Sequence, residues 1–368
     1  MSDISRRTFG RLTAGIGISA AGLAAACGRS SPSGSPSKPA TPPPPTPVGV
    51  GFVLSHEQFS TAELVEQAQA AENAGFRYLW ASDHLQPWQD NEGHSMFPWH
   101  TLALVAEKTK NITFGTGVTC PIYRYHPAVV AQSFASLGLV APGRVFLGVG
   151  TGERLNEQAA TGQYGPYQER HDRLIEAIQL TRQLWSGQRI SFTGRYFQTN
   201  ALKLYNVPAP PPPIFVAASG PKSAQLAGQY GDGWITQPSA VKDAKLAAAF
   251  VQGAQASGRD PNMLGKRVEL FAVVGDQGEI SRAAELWRFA GQGFKIDRPN
   301  PVDIQQAAQA TPLDKITEGW TTGRDPAKHV AAVQAILDQG VTPFLHFPQQ
   351  NPADAIEFYR TQVLPKLH

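Results

Sequence analysis

The chain has 368 residues, 42% of them hydrophobic, and a chain of this length can bury one large core. Its formal net charge of +3 is too small and too dispersed to favour nucleic-acid binding. It contains no run of 18 apolar residues that would predict a membrane-spanning helix, and its two cysteines, Cys27 and Cys120, are too few for a disulfide framework.

The N-terminus has the pattern of an export signal. Arg6 and Arg7 precede Phe9 and a mild, Gly/Ala-rich apolar run over residues 12–26. A twin arginine in this setting is typical of the twin-arginine export route, and a basic amphipathic helix is the plainer alternative. Residues 23–27 resemble a lipoprotein cleavage site, with Cys27 as the lipidated first residue. We therefore predict a signal peptide over residues 1–26 and a lipid anchor at Cys27.

Residues 27–47 are rich in Gly, Ser and Pro and have almost nothing to bury. Eight prolines lie between Pro32 and Pro47. This composition favours an extended spacer over a packed structure. It predicts a tether between a membrane anchor and a folded domain, and thus a location in the cell envelope, on the outer face of the cytoplasmic membrane.

Residues 48–368 alternate strand-like and helix-like segments, as expected for one catalytic domain. The strand candidates are short, apolar and rich in β-branched or aromatic residues. They are Val48–Phe52, Arg77–Ser82, Ile112–Thr116, Val145–Gly150, Ile214–Ala218, Gly233–Thr236, Arg267–Val274 and Thr342–Phe347. Eight strands in this order predict a (β/α)8 barrel, the α/β fold also called a TIM barrel, with an open doubly wound sheet as the alternative. Insertions are expected after strand 4 (156–213) and strand 7 (276–325).

The ends of these strands carry the candidate chemistry, because barrel enzymes build their sites there. Asp83 and His84 follow strand 2 and offer a carboxylate beside an imidazole. Trp88 stands nearby, although ordinary packing would explain it equally well. Glu153 follows a run of small residues that would let backbone amides approach a ligand. Cys120 is interpreted as a small buried residue.

Several of these segments together resemble the coenzyme F420-dependent glucose-6-phosphate dehydrogenase family of the luciferase-like superfamily. The most specific are SDH and QPW within residues 82–88 and RVFLGVGTGE with NE within 144–157. QLWSG at 183–187 and GDG at 231–233 add support. The resemblance covers nearly all of residues 48–368 and implies a luciferase-like barrel that binds the deazaflavin coenzyme F420.

The resemblance also implies roles for individual residues. His84 would take the hydroxyl proton, with Glu57 as a supporting carboxylate nearby. Glu153 would be the acid that balances the charge on the reduced cofactor ring, and Trp88 would pack against that ring. The Gly117–Val118 peptide would be a non-proline cis bond behind the ring. The cofactor-binding positions would be Asp83, Gly117, Val118, Thr151, Gly152, Asn156, Ser219 and Gly220. No metal site is predicted.

The departures from the family concern the substrate. The family positions that bind the sugar phosphate correspond to Ala240, Lys295 and Gly319 in this sequence. Gln237 replaces a threonine of the family. A phosphate dianion needs several cationic or amide donors, so we predict that glucose 6-phosphate is not the substrate. With its signal and tether, the chain resembles the exported hydroxymycolic acid dehydrogenases of mycobacteria. The expected substrate is a secondary alcohol on an envelope lipid, oxidised to the ketone.

Three other interpretations compete with this one. The first is an FMN-dependent monooxygenase on the same barrel. The second is a solute-binding lipoprotein, although such proteins are commonly two-lobed. The third is a barrel that only binds the deazaflavin. A homodimer is compatible with the sequence.

Overall fold

The structure, a computed structural model, describes residues 49–292 and 297–368. The predicted signal peptide, Cys27 and the tether lie outside these residues, and so does Lys295. None of the described helices combines the length and apolar character that a membrane span requires.

The described residues form eight parallel strands in a closed ring and one short additional strand. The bounds are β1 Gly51–Leu54, β2 Tyr78–Ala81, β3 Thr113–Thr116, β4 Leu147–Val149, β5 Ile214–Ala217, β6 Gly233–Thr236, β7 Gly265–Val273, β8 Thr321–Thr322 and β9 Thr342–His346. The order around the ring is β3-β2-β1-β9-β7-β6-β5-β4, and β8 pairs only with β7. A parallel bridge between Phe114 and Val145 closes the ring. The predicted (β/α)8 barrel is confirmed.

Helices surround the ring and fill the two insertions. Their bounds are α1 Thr61–Ala74, α2 Pro98–Lys108, α3 Pro127–Val140, α4 Glu157–Thr161, α5 Tyr167–Leu184, α6 Pro221–Tyr230, α7 Pro238–Val241, α8 Ala244–Ala256, α9 Gln277–Leu286, α10 Pro301–Ala308, α11 Leu313–Thr317, α12 Pro326–Leu337 and α13 Pro352–Phe358. Helix α1 begins at a capping box of Ser60 and Glu63 and ends at Gly75, whose φ is 101°.

The strand pairing corrects one predicted strand and adds one strand that was not predicted. The first strand runs over Gly51–Leu54 and not Val48–Phe52, because its ladder to β2 extends from the Gly51–Tyr78 pair to the Leu54–Ala81 pair. Strand β8 was not predicted at all. Its two residues, Thr321 and Thr322, pair with the end of β7 within the second insertion, and two residues are too few to show a period in the sequence.

Buried, mostly aromatic side chains fill the inside of the barrel. The cluster comprises Val53, Tyr78, Trp80, Phe146, Phe215, Ile235 and Phe344. Trp80 and Phe344 stack with centroids 3.9 Å apart. The Arg267 guanidinium lies 3.5 Å from the centroid of Phe215, and burial lowers the pKa of Arg267 to about 9. This packed floor supports whatever binds above it.

Candidate active site

A cavity of about 1050 Å³ opens at the carboxyl ends of the barrel strands. Its walls come from the loops after β1 to β7 and β9 and from both insertions. This is the position at which barrels of this kind place their active sites.

Most of the predicted site residues line this cavity. They are Glu57, His84, Trp88, Gly117, Val118, Thr151, Gly152, Glu153, Ser219, Gln237 and Gly319. Four others, Asp83, Asn156, Gly220 and Ala240, lie outside the lining. Ala240 is buried behind the wall, and Lys295 is not among the described residues.

Glu57 and His84 face each other at the base of the cavity. Glu57 is buried and accepts hydrogen bonds from Ser55 Oγ at 2.9 Å and Ser82 Oγ at 2.7 Å. Its other oxygen is 3.6 Å from His84 Nε2. Burial alone would raise the pKa of Glu57, but the facing imidazole and the Ser82 hydroxyl outweigh it, so that the pKa is lowered. Glu57 therefore provides a negative charge beside the ring.

Asn156 fixes the hydrogen-bonding roles of the His84 ring. Its Oδ1 accepts from the Leu85 N–H at 2.7 Å, and this bond determines which end of the amide is nitrogen. The Nδ2 group lies 3.0 Å from His84 Nδ1 and 3.2 Å from Glu153 Oε2. An amide N–H can only donate, so Nδ1 of His84 is an acceptor. In the neutral ring, the proton is therefore on Nε2.

The structure gives Asn156 contacts within the protein. The side chain is buried and bridges His84 and Glu153. The sequence motif placed Asn156 next to Glu153, but the link to His84 spans 72 positions and depends on the barrel bringing β2 and β4 loops together.

Asp83 is likewise held within the protein. Its carboxylate accepts from Arg124 at 2.9 Å, Tyr125 at 3.0 Å, Trp99 at 3.2 Å and Thr119 at 2.6 Å. These four donors satisfy the carboxylate, which is buried behind the cavity wall. These bonds anchor the loop that carries His84.

Gly117 and Val118 line one part of the cavity. The Gly117–Val118 peptide is cis, as predicted. A Cβ at Gly117 would lie 2.7 Å from the Trp80 ring, and one at Gly150 would lie 2.8 Å from Val118. Neither position accepts a larger side chain without displacement of its neighbours, so glycine is needed for the close packing of this part of the wall.

Arg170 marks a polar end of the cavity that the sequence analysis missed. Its guanidinium donates to the carbonyl oxygens of Thr151 at 3.1 Å and Gly152 at 3.0 Å, and it also bonds to the Tyr164 hydroxyl. Its Nε is buried and has no partner in the described structure. Ser219 and Ser223, at the start of α6, line the same cavity. A guanidinium and a helix N-terminus suit an anion here.

Another part of the cavity is aromatic, with Trp88, Phe271, Trp287 and Trp320 in its lining. Trp88 stacks on Phe289 with centroids 4.8 Å apart, and Phe271 stacks on Trp320 at 5.1 Å. Trp287 joins the two pairs, at 5.5 Å from Phe289 and 5.3 Å from Phe271. Most of these rings come from the second insertion, whose variable sequence gave no motif to recognise.

The charges around the cavity are mainly negative. Five carboxylates and two permanently cationic side chains line it among the described residues. They are Glu57, Glu153, Glu269, Asp297 and Glu318, against Arg170 and Lys315. Arg170 is already bonded to backbone carbonyls, and Lys315 pairs with Glu318 at 3.5 Å. A phosphate dianion in the aromatic part would meet net repulsion.

A second imidazole–carboxylate pair lies beside the first and was not predicted as a site. His346, at the end of β9, is 2% exposed, and its Nδ1 lies 2.7 Å from Glu269 Oε1. Its ring stacks on Phe271 at 4.4 Å and meets the edge of Trp287 at 4.3 Å. The rule that strand ends carry chemistry could have found His346, since the sequence places it near the end of a predicted strand.

Cys120 is buried, as the sequence indicated, and burial raises the pKa of its thiol well above the ordinary value. It is therefore a packed side chain and not a reactive one. Among residues 49–292 and 297–368, no group of three or more His, Cys, Asp or Glu side chains is arranged to hold a metal ion.

Comparisons with other proteins agree with this arrangement. The luciferase-like monooxygenase family matches residues 45–342. The chain is 67% identical over 368 residues to the F420-dependent hydroxymycolic acid dehydrogenase of Mycobacterium tuberculosis, with 100% of each chain covered. It is 37% identical over 331 residues to the F420-dependent glucose-6-phosphate dehydrogenase of Mycolicibacterium smegmatis, covering 86% of this chain and 97% of the relative.

A solved structure is also similar. It is an F420-dependent secondary alcohol dehydrogenase in complex with an F420-acetone adduct, with a TM-score of 0.81 and 30% sequence identity. The similarity covers 86% of this chain and 98% of that chain.

Proposed function

The chain belongs to the luciferase-like monooxygenase family, and within that family we propose that it is an F420-dependent dehydrogenase that oxidises a secondary alcohol to a ketone. The observation that carries the proposal is one cavity whose lining combines the cis Gly117–Val118 peptide with the imidazole–carboxylate pair of His84 and Glu57. Relatives named for F420-dependent alcohol or sugar-phosphate oxidation agree with it.

The cavity suits the deazaflavin in two respects. The Gly117–Val118 peptide and Val118 offer the surface for the ring system. Arg170, Ser219 and the first turn of α6 would hold the anionic tail. When bound, the cofactor supplies the acceptor for a hydride from the carbinol carbon.

The chain's own residues orient the alcohol and control its proton. His84 Nε2–H donates a hydrogen bond to the hydroxyl oxygen, because the 3.6 Å separation from Glu57 is too long to occupy that donor fully. Asn156 holds the ring in this orientation, and the same side chain holds Glu153 at 3.2 Å. Trp88, whose ring centroid is 5.0 Å from that of His84, excludes water from the reacting atoms.

The substrate we propose is a long apolar secondary alcohol, of the hydroxymycolic acid class or a related envelope lipid. Aromatic side chains bury alkyl carbons without any charged partner. Among the described residues of the cavity lining, the excess of carboxylates over cations disfavours glucose 6-phosphate. Exposed Gly319 leaves open space at the cavity rim through which a chain can pass.

The test of cofactor choice is a fluorescence titration of the purified protein with F420 and, separately, with FMN. We expect saturable F420 binding at micromolar concentration or tighter and much weaker FMN binding. Tight binding of FMN alone would overturn the dehydrogenase and favour an FMN-dependent monooxygenase. Binding of neither would favour a solute-binding protein.

For the N-terminus we propose export by the twin-arginine route and lipid anchoring at Cys27, supported by the arginine pair and the sequence around Cys27. Several acyl chains on one cysteine would hold the protein firmly to a membrane. The test is labelling with radioactive palmitate and membrane fractionation of the native protein and of Cys27→Ser. Equal labelling of both would contradict the anchor. The Arg6→Lys, Arg7→Lys double variant should not be exported and should remain in the cytoplasm.

A further inference from the structure

Two glutamine side chains join the aromatic part of the cavity to the loops that carry the reacting residues. Gln58 directly follows Glu57 after β1, and Gln89 directly follows Trp88 in the loop after β2. Neither belongs to the described residues that line the cavity. Both bond instead to the second insertion, at residues 229 and 200 positions further along the chain.

The Gln58 amide is matched to its partners at both ends. Its Oε1 accepts from the Trp287 indole N–H at 2.8 Å, and its Nε2 donates to the Pro348 carbonyl at 2.9 Å. An indole nitrogen can only donate and a carbonyl oxygen can only accept, so this orientation of the amide satisfies both. Pro348 follows β9. Gln58 therefore holds the Trp287 ring against the loops after β1 and β9.

Gln89 is fully buried, and its amide is satisfied in the same manner. Its Oε1 accepts from the Phe289 N–H at 2.8 Å. Its Nε2 donates to the Glu285 carbonyl at 3.1 Å and to Asn91 Oδ1 at 3.0 Å. Glu285 belongs to α9, and Phe289 lies just after that helix. Gln89 therefore binds the segment after α9 to the loop after β2, and its loss would leave buried polar groups unsatisfied.

The two bonded residues support the rings that face the cavity. We call the four lining residues Trp88, Phe271, Trp287 and Trp320 the aromatic wall. Phe289 stacks on Trp88 with centroids 4.8 Å apart, and Trp287 packs against Phe271 at 5.3 Å. Phe271 stacks in turn on Trp320, and these two rings are only partly buried. Because close-packed rings move together, a displacement of Trp287 or Phe289 would move the aromatic wall.

We propose that Gln58 and Gln89 are positioning residues that determine the preference for long alkyl chains, since they hold the aromatic wall in place; this inference rests on the proposed dehydrogenase function. A methylene buried against a well-placed apolar surface strengthens binding by roughly fourfold. A short alcohol has almost no chain for the aromatic wall to bury. Its oxidation therefore depends on His84 and Glu57 and not on the two glutamines.

The test is the dependence of kcat/KM on chain length, measured with F420 and 2-alkanols for the native protein, Gln58→Leu and Gln89→Leu. We expect the gain per methylene to fall from roughly threefold to fourfold in the native protein to less than about twofold in each variant, through a higher KM. The kcat/KM for 2-propanol should change by less than about threefold, and the Kd for F420 should stay the same. A variant that is merely less folded loses the same factor with every substrate, so the gain per methylene would not change.

Gln334→Leu is the matched control. The Gln334 amide also bridges distant backbone groups, because it donates to the His368 carbonyl at 3.1 Å and accepts from the His368 N–H at 3.0 Å. Gln334 lies on α12, outside the cavity lining. Its replacement removes the same kind of bonds and should leave the gain per methylene at the native value.

A double-mutant cycle shows whether Gln58 acts through the indole N–H. Trp287→Phe removes that donor and keeps an aromatic ring. Gln58→Leu should lower the gain per methylene in the native background and have little further effect in the Trp287→Phe background. Equal effects in both backgrounds would mean that Gln58 does not act through Trp287, and would overturn its assignment.

The outcomes distinguish this inference from the proposed function. If the native protein oxidises long alcohols better than short ones, and Gln58→Leu and Gln89→Leu keep the native gain per methylene, the inference is overturned and the proposed function stands. If the native protein binds no F420, the proposed function fails. Binding of 2-alkanols to the cofactor-free protein, followed by tryptophan fluorescence, then decides the inference: long alcohols should bind more weakly to both variants than to the native protein, and equal affinities would overturn it.

Discussion

The substitution Asn156→Asp should reverse the tautomer of His84. The new side chain keeps an acceptor for the Leu85 N–H, which now bonds at 2.7 Å, but loses the N–H that donates to His84 Nδ1 at 3.0 Å. An oxygen in that place makes Nδ1–H the favoured form, so Nε2 changes from donor to acceptor. His84 could then no longer donate to the hydroxyl oxygen.

The electrostatics of this variant can be estimated from the distance to Glu153. The present Asn156 Nδ2 lies 3.2 Å from a Glu153 oxygen. Two unit charges at that separation repel by roughly 5 kcal/mol at an effective dielectric constant of 20. Protonation of an ordinary aspartate at pH 7 costs about 4 kcal/mol. The introduced carboxyl therefore takes up a proton, which it shares with Glu153, and the tautomer change persists at neutral pH.

We expect kcat of Asn156→Asp to fall by roughly 100-fold to 10,000-fold, the range seen when a catalytic histidine is held in the wrong tautomer. Asn156→Ala, which removes the restraint without reversing it, should cost roughly 10-fold to 100-fold. Nitrogen-15 NMR should show the His84 proton on Nδ1 in the Asp variant. A native kcat together with an unchanged His84 tautomer in that variant would refute the reasoning.

Three further predictions concern stability, cofactor affinity and thiol reactivity. Burial lowers the pKa of His56 from 6.5 to about 4, so the stability linked to the neutral ring is complete above pH 6.5 and is lost as the pH falls towards 4. Urea unfolding should show the native protein losing about 3 kcal/mol more than His56→Gln between pH 7 and pH 4, and parallel pH profiles would contradict this. Arg170→Met should weaken F420 binding by roughly 10-fold to 100-fold, because charge-assisted bonds to the tail are lost; an unchanged Kd would remove Arg170 from the cofactor site. In a Cys27→Ser background, Cys120 should resist iodoacetamide at pH 8 until the protein is unfolded, and rapid labelling of the native protein would show that the buried thiol is accessible.

Local patterns in the sequence predicted much of the fold. The first helix begins at Ser60 and Glu63 and ends at Gly75, and such caps depend only on residues close in sequence. The Gly233–Thr236 strand has the predicted bounds because it is short, apolar and followed by a polar turn. The ends of β1, β2 and β4 were the right places to seek Glu57, His84 and Glu153.

The connections within the site could not be predicted from local patterns. The Asn156–His84 bond joins residues 72 positions apart, and the Glu269–His346 bond joins residues 77 positions apart. Each depends on strand order and side-chain direction, which a motif does not encode. Asp83 was assigned to the cofactor from its motif, and the motif did not show that four donors from α2 and the loop after β3 bond to its carboxylate.

The central claim is that the cavity oxidises a long apolar alcohol, and the specificity constant tests it most directly. The measurement is kcat/KM with F420 for secondary alcohols of increasing chain length, with glucose 6-phosphate as the competing substrate. We predict a rise of roughly threefold to fourfold for each added methylene that the aromatic wall buries, up to a plateau, and no measurable turnover of glucose 6-phosphate. A kcat/KM that is independent of chain length, with efficient oxidation of glucose 6-phosphate, would contradict the account.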